Sequence, residues 1–289
     1  MADLPAVVVT GASTGIGASC ALRLAQQGYH VFAGVRKPED GERLRQRSAG
    51  LLEWLPLDVT DGATIARAAE TVASAQGEHG LAGLVNNAGI AVGGPLEYLS
   101  TERLRRQFEV NVVGLHAVTQ AFIPLIRRAR GRIVHIGSIA GRIASPFTGA
   151  YAASKHAVEA LTDALRLELA PEGIHVSVIE PGQIKTPIWD KGLQEFSAIT
   201  SEIPAEGMAR YRGRLMALRH ILDRARARAA SPEAVADAVL HALNSPEPRT
   251  RYVVGGDARL RLWLTRLLPD RALDMVVLRA LAHLERKVS

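Results

Sequence analysis

Ala6 to Gly17 read AVVVTGASTGIG. An apolar run, AVVVT (Ala6 to Thr10), breaks into a turn carrying Gly11, Gly15 and Gly17, and a helical pattern follows from about Gly15 to Gln27, ending at Gly28. Glycines serve where a backbone must turn tightly and approach a pyrophosphate, and the helix N-terminus beyond offers free amides and a positive dipole. Glycine-rich turns are common, so the flanking strand and helix carry the weight. The same alternation continues through HVFAGV, a helix near 39–48, LLEWLPL, a helix near 61–76 and LAGLVNNAG. A long helix near 102–129 leads to GRIVHIGS, a second long helix to IHVSVIEPG, and a late helix from Pro232 to Asn244 to RYVV. Short β-rich runs separated by amphipathic helices predict βαβ units and an α/β, Rossmann-type doubly wound parallel sheet of about seven strands. Ligands of such sheets bind outside the carboxyl ends of the strands. We read one domain over 1–256, with a helical lid at about 187–228 and a C-terminal helical extension over 257–289.

Composition narrows the function classes. Of 289 residues, 47% are hydrophobic and 22% charged, which is globular. The net charge of +6 raises the question of nucleic acid, but the arginines are scattered and aromatics make up only 4%. No nucleic-acid partner is expected. Cys20 is the single cysteine, which excludes an internal disulfide, and the first residues lack a basic segment followed by a long apolar one. The expected setting is reduced and cytoplasmic. The nine histidines are dispersed without ligand spacing, so no metal is expected.

Residues 151–155 read YAASK. Four positions apart on a helix, Tyr151 and Lys155 share one face, and an ammonium beside a phenol favours the phenolate. In isolation such a pair is more often a surface feature than a catalytic one, so the rest of the chain decides.

The chain resembles the short-chain dehydrogenases/reductases. The resemblance rests on Gly-x-x-x-Gly-x-Gly after the first strand, Asp58 in LDVT, the NNAG of Asn86 to Gly89, Asn111, Ser138, Tyr151 with Lys155, and PGQIKT from Pro181 to Thr186. It spans roughly the first two thirds of the chain. It implies a nicotinamide cofactor held by Gly11, Ser13, Thr14, Gly15, Ile16 and Gly17, by Asp58 and Val59 near the adenine, by Asn87, Ala88 and Gly89, and by Pro181, Gly182, Ile184 and Thr186, with Tyr151 and Lys155. It further implies Tyr151 as general acid/base and Lys155 lowering the phenol pKa while holding the nicotinamide ribose. Ser138 would position the carbonyl, and Asn111 would hold a water that relays protons to the lysine. Taken singly, Ser138 reads equally as a cap and Asn111 as a satisfied buried amide.

Cofactor choice turns on the end of the second strand, FAGVRKPED. An acidic residue there bonds the ribose 2′-hydroxyl of NAD, whereas a 2′-phosphate needs positive charge. Val35 occupies the acidic position, followed by Arg36 and Lys37, so NADP(H) is expected over NAD(H). The competing reading makes both cations solvated loop charges, with Glu39 or Asp40 turned back to the ribose.

Ile188, Trp189, Leu193, Phe196, Ile199, Met208, Tyr211 and Met216 stud the lid segment. An apolar lining suits a bulky alcohol or ketone such as a steroid or retinoid, bound at Ser138, Tyr151, Ile188 and Trp189. The same residues would equally pack on the lid itself. The resemblance is greatest to the hydroxysteroid and retinol dehydrogenase branch. Two alternatives stand: a 3-oxoacyl carrier-protein reductase, whose acidic carrier would dock on Arg103, Arg105, Arg106, Arg127, Arg128 and Arg130, and a non-catalytic NADP sensor. A homodimer or homotetramer paired through helices near 102–129 and 150–170 is expected from the resemblance. The tail reads as two amphipathic helices broken at Pro269. It is expected to cover the substrate mouth or a neighbouring subunit in preference to a membrane surface.

Overall fold

The computed structural model describes residues 4–48, 51–227 and 229–288. Seven parallel strands form one sheet in the order β3-β2-β1-β4-β5-β6-β7. They are β1 (Ala6–Val9), β2 (His30–Val35), β3 (Leu52–Pro56), β4 (Gly83–Asn86), β5 (Arg132–Ile136), β6 (His175–Pro181) and β7 (Arg251–Val254). β1, β4 and most of β2, β5 and β6 are buried, as expected of parallel strands covered on both faces.

One face is closed by α1 (Gly15–Gln26), α2 (Pro38–Gln46) and α9 (Pro232–Asn244). Leu24, Leu44, Val235 and Val239 pack there with Val7, Val9 and Val31. The other face carries α3 (Gly62–Gln76), α5 (Gly114–Ala129) and α6 (Gly149–Leu169), whose Ile65, Val72, Phe122, Ile126 and Leu169 meet Val8, Phe32 and Leu84. Each fully buried Leu, Val or Phe contributes on the order of 1.5–3 kcal/mol. Helix ends follow local chemistry: Asp61 caps α3 by accepting from the Ala63 and Thr64 amides, and Pro232 opens α9 at a first-turn position.

The helix expected near 102–129 forms as α4 (Thr101–Phe108), a π turn (Glu109–Val113) and α5. By length and composition alone this segment would cross a bilayer. Here its Val118, Phe122, Leu125 and Ile126 are buried against the sheet. The lid folds as α7 (Ile188–Ser201) and α8 (Ala205–Ala227), the tail as α10 (Gly256–Leu267) and α11 (Asp270–Val288), with Pro269 between them as the sequence predicts. Because α11 packs along α8, lid and tail form one roof over the carboxyl edge of the sheet. The outer face of the tail leaves Leu260, Trp263, Leu267, Met275 and Leu278 exposed.

Candidate active site

Strand order reverses between β1 and β4, and a crevice opens there at the carboxyl ends. It continues beneath the roof as one cavity of about 1010 Å³. Gly11, Ser13, Thr14, Gly15 and Ile16 line one end, with Arg36, Asp58, Val59, Asn87, Ala88 and Gly89. Ser138, Tyr151, Lys155, Pro181, Gly182, Ile184, Thr186 and Ile188 line its middle and the approach to the lid. Residues as far apart in sequence as Gly11 and Ile188 thus meet at one surface.

The glycine turn needs its glycines. Gly11 and Gly15 have φ of +62° and +60°, a region that other residues enter at a cost. A Cβ on Gly11 would lie 2.8 Å from Ala88 Cα. Gly17 departs from expectation: it is not among the lining residues and instead packs behind the turn. A Cβ there would lie 2.4 Å from both Asn87 Nδ2 and the Gly11 carbonyl oxygen. Asn87 Nδ2 donates to the carbonyls of Thr10 (2.9 Å) and Gly11 (3.0 Å), so its amide ties β4 to the turn. Thr10, which sequence reading passed over, accepts the Asn87 and Ala88 amides on its hydroxyl, each at 3.0 Å. First-turn amides of α1 remain for an anion. The cradle fits a dinucleotide.

At the end of β2, buried Val35 and exposed Arg36 both line the cavity. Lys37 does not; it is the exposed residue preceding α2. Asp40 is paired with Arg43, which holds that carboxylate in a local ion pair.

Tyr151 and Lys155 stand one turn apart on α6, with the Lys155 ammonium nitrogen 5.9 Å from the tyrosine ring centre. Lys155 Nζ donates to the Ile136 carbonyl at 2.7 Å. Burial pulls the lysine down to about 8, against the charge of Glu159 one further turn along. The expectation that Lys155 lowers the Tyr151 pKa is not met: burial raises the phenol, and the opposing influence is the Ser138 hydroxyl beside it. Desolvation of a half-buried phenol in the cavity wall is the larger influence on Tyr151, and Lys155, itself buried, does not offset it. Ser138 also accepts the Ala140 amide at 3.1 Å, so it caps a short turn and faces the phenol together.

Asn111 lies outside the cavity lining. Buried in the π turn, it accepts the Ile90 amide (2.9 Å) and donates to the Ile90 carbonyl (3.0 Å) and Ser154 Oγ (3.1 Å). Gln107, one turn earlier, accepts the Val92 amide at 2.7 Å and donates to the same Ile90 carbonyl at 2.9 Å. The pair grips the loop after β4 that forms one wall of the cavity. Their i, i+4 spacing within the helical segment expected near 102–129 is the signal available in sequence.

Behind Lys155 lies a charge cluster that sequence reading did not assemble. Arg251 Nε is 3.0 Å from Glu159 Oε2 and 3.4 Å from Glu180 Oε1, while Arg142 reaches Glu180 Oε1 at 3.2 Å. Burial and the neighbouring Glu180 charge hold Glu159 above the usual carboxylate range.

The lid residues divide. Ile188 and Phe196 line the cavity, together with Leu218, Ile221 and Leu222 of α8 and Val276, Val277, Ala280 and Leu281 of α11. Ile199, Met208 and Tyr211 do not line it. Met208 and Tyr211 pack in a cluster of Phe147, Ile203 and Leu215 that joins the lid to the body and that Phe196 and Leu222 share, Ile199 is buried, and Met216 is exposed. The side chains of Trp189 and Leu193 lie outside the described residues. Among the arginines considered for docking a carrier, Arg103 forms a forked pair with Glu202 (2.5 and 2.7 Å), and Arg127 pairs with Glu172.

A family model described as short chain dehydrogenase matches residues 5–195. The chain is 38% identical to retinol dehydrogenase 5 of Mus musculus over 278 residues, covering 94% of this chain and 87% of that one. It is 35% identical to an NADPH-dependent 3-dehydrocapnine reductase of Ornithobacterium rhinotracheale over 285 residues, covering 97% and 98%. Among solved structures, an actinorhodin polyketide ketoreductase variant with NADPH superposes with a TM-score of 0.74 at 30% identity, covering 89% of this chain and 98% of that one.

Proposed function

The chain belongs to the short-chain dehydrogenase/reductase family of oxidoreductases, and on that premise we propose that it interconverts a secondary alcohol and a ketone on a bulky apolar molecule such as a steroid or retinoid, using NADP(H). The carrying observation is the continuity of one cavity from the glycine turn, past Ser138, Tyr151 and Lys155, to the apolar residues of lid and tail. A site for a small polar ketone would not need the wall formed by Ile188, Leu222, Val277 and Leu281. Relatives named for retinol and for an NADPH-dependent reduction support the same reading.

Bound NADPH supplies the hydride. In reduction, the Ser138 hydroxyl donates to the carbonyl oxygen and fixes its position, and the Tyr151 phenol gives its proton to the alkoxide as it forms. A phenol raised by burial keeps that proton at neutral pH. Lys155 holds positive charge near the developing oxyanion and the cofactor ribose, and the roof excludes water. Asn111 serves by holding the Ile90 loop. The carrier-protein alternative is weakened by Arg103 and Arg127, whose charges are already matched within the chain. The test is NADPH oxidation measured against ketosteroids, retinal, short aliphatic ketones and acetoacetyl thioesters. Turnover confined to the thioesters would overturn the reading.

A pH profile probes Lys155. Its folded pKa of about 8 lies below the ordinary lysine value, so the ammonium is present below pH 8 and is lost as pH rises through it. The kcat/KM for reduction should fall about tenfold per pH unit above roughly pH 8. A rate flat to pH 9.5 would show that the lysine charge is not required.

We also propose a homo-oligomer, because Leu104, Val113 and Leu167 stand exposed along the α4–α5 segment and α6. Sedimentation at micromolar concentration should give a dimer or tetramer, and a monomer there would refute it.

A further inference from the structure

Charge is unevenly placed around the cavity. Besides Lys155, the charged lining residues Arg36, Asp58, Arg105, Arg106 and Glu109 come from the segments just after β2 and after β3 and from the α4–π segment. Among the described lining residues of the 139–148 loop, the lid and the tail, Arg261 of α10 is the one charged side chain. It is half-buried, and it lines the same cavity as Ile143, Leu222, Val276, Val277 and Leu281.

Arg261 has little to satisfy it there. Its Nη2 donates to Ser145 Oγ at 2.9 Å. Asp257, one turn earlier on α10, instead accepts the Gln183 amide at 3.1 Å, and among the described residues no carboxylate pairs with Arg261. A guanidinium carries five N–H donors in a planar fork matched to an oxyanion. Half-buried, and with no carboxylate paired to it among the described residues, the guanidinium is partly stripped of water, and an anion seated on its remaining donors would replace that water. The Ser145 bond fixes one arm of the fork and leaves the others for a ligand.

We propose that the substrate is an apolar ketone or alcohol bearing an anionic oxyacid group, a carboxylate or sulfonate, remote from the reacting carbon, and that Arg261, oriented by Ser145, receives that group. This rests on the reading of the cavity as the substrate site. The apolar body lies along the lid and tail residues while the head group pairs with Arg261. The chain thereby separates acidic substrates from neutral ones of the same shape, since only the anion completes the fork.

The test begins with binding, which does not depend on turnover. Titration calorimetry of the full-length protein with decanoate and with decanol compares one chain with and without the charge. An apolar cavity alone would favour the alcohol, because burying an unpaired carboxylate is costly. The expected result is decanoate binding at least tenfold tighter than decanol. That preference should vanish in Arg261→Met, return in part in Arg261→Lys, weaken in Ser145→Ala, and shrink as salt is raised. Unchanged NADPH affinity and melting temperature would show that the variants keep the fold. Decanol bound as well as decanoate, or a decanoate preference surviving Arg261→Met, would overturn the proposal. Turnover of a long-chain keto acid and its methyl ester with NADPH separates the two readings. Arg261-dependent decanoate binding with neither ketone reduced would sink the reductase reading and leave the anion site standing. Equal kcat/KM for acid and ester, with no anion preference in binding, would sink the anion site alone.

Discussion

Tyr151→Phe is expected to lower kcat for ketone reduction by about 10²- to 10⁴-fold, the usual contribution of a positioned general acid, while NADPH affinity changes by less than about threefold. The ring stays, so its packing on α6 and its place beside Lys155 are kept; only the oxygen facing Ser138 is lost. Because burial raises the Tyr151 pKa, the residue is a proton donor throughout the neutral range. Its removal should therefore depress reduction uniformly between pH 6 and 8 and leave the shape of that limb unchanged. Lys155→Ala should behave differently, raising the KM for NADPH as well as lowering kcat, since it removes the charge proposed to hold the cofactor ribose. Single-turnover measurements separate these effects. Retention of more than about a tenth of the wild-type kcat in Tyr151→Phe would mean that the proton comes from elsewhere, with Ser138 the next group to test.

The parts of the site legible in sequence are those fixed by local chemistry. A glycine turn between a buried strand and a helix admits few structures, and Tyr151 and Lys155 share a helix face whatever surrounds them. What escaped sequence reading depends on meetings between distant segments. Ser145 and Arg261 are 116 residues apart. The cluster around Glu180 joins α6, β6, β7 and the loop after β5, and neither its burial nor its effect on Lys155 could be seen from residue types. Motif position alone puts Gly17 and Lys37 at the cofactor, since it does not reveal which way a residue faces. The close approach of Asn87 turns one inward, and the start of α2 leaves the other in solvent. The lid was ambiguous for a related reason. A helix with apolar residues on several faces has both a packed cluster and a cavity to line, so Met208 and Tyr211 go to the first, Ile188 to the second, and Phe196 serves both.

The preference between cofactors is expected to reverse in the double variant Val35→Asp, Arg36→Ala. Arg36 lines the cavity at the end of β2 and is exposed. A charge-assisted contact with a 2′-phosphate contributes about 1.5–3 kcal/mol where it is sheltered. Solvent screening at this position brings that toward the lower bound, about tenfold in affinity. Val35 is 2% exposed and lies beside Arg36 in the cavity wall. A carboxylate introduced there would accept from the ribose hydroxyls of NADH and repel the 2′-phosphate of NADPH, for a further change of about tenfold or more. Together the substitutions should shift the ratio of kcat/KM for NADPH over NADH by about 10²- to 10³-fold. Neither carboxylate that follows supplies the missing acid in the wild type: Asp40 is paired with Arg43, and Glu39 is exposed and, like Asp40, outside the cavity lining, so the native preference is expected to favour NADPH. Lys37→Ala, by contrast, should shift the ratio less than about threefold, since that side chain lies outside the cavity. The measurement is initial-rate kinetics with both cofactors on wild type and variants, using one ketone substrate. A wild type that already prefers NADH, or a Lys37 effect larger than that of Arg36, would refute the assignment of the 2′-phosphate to Arg36.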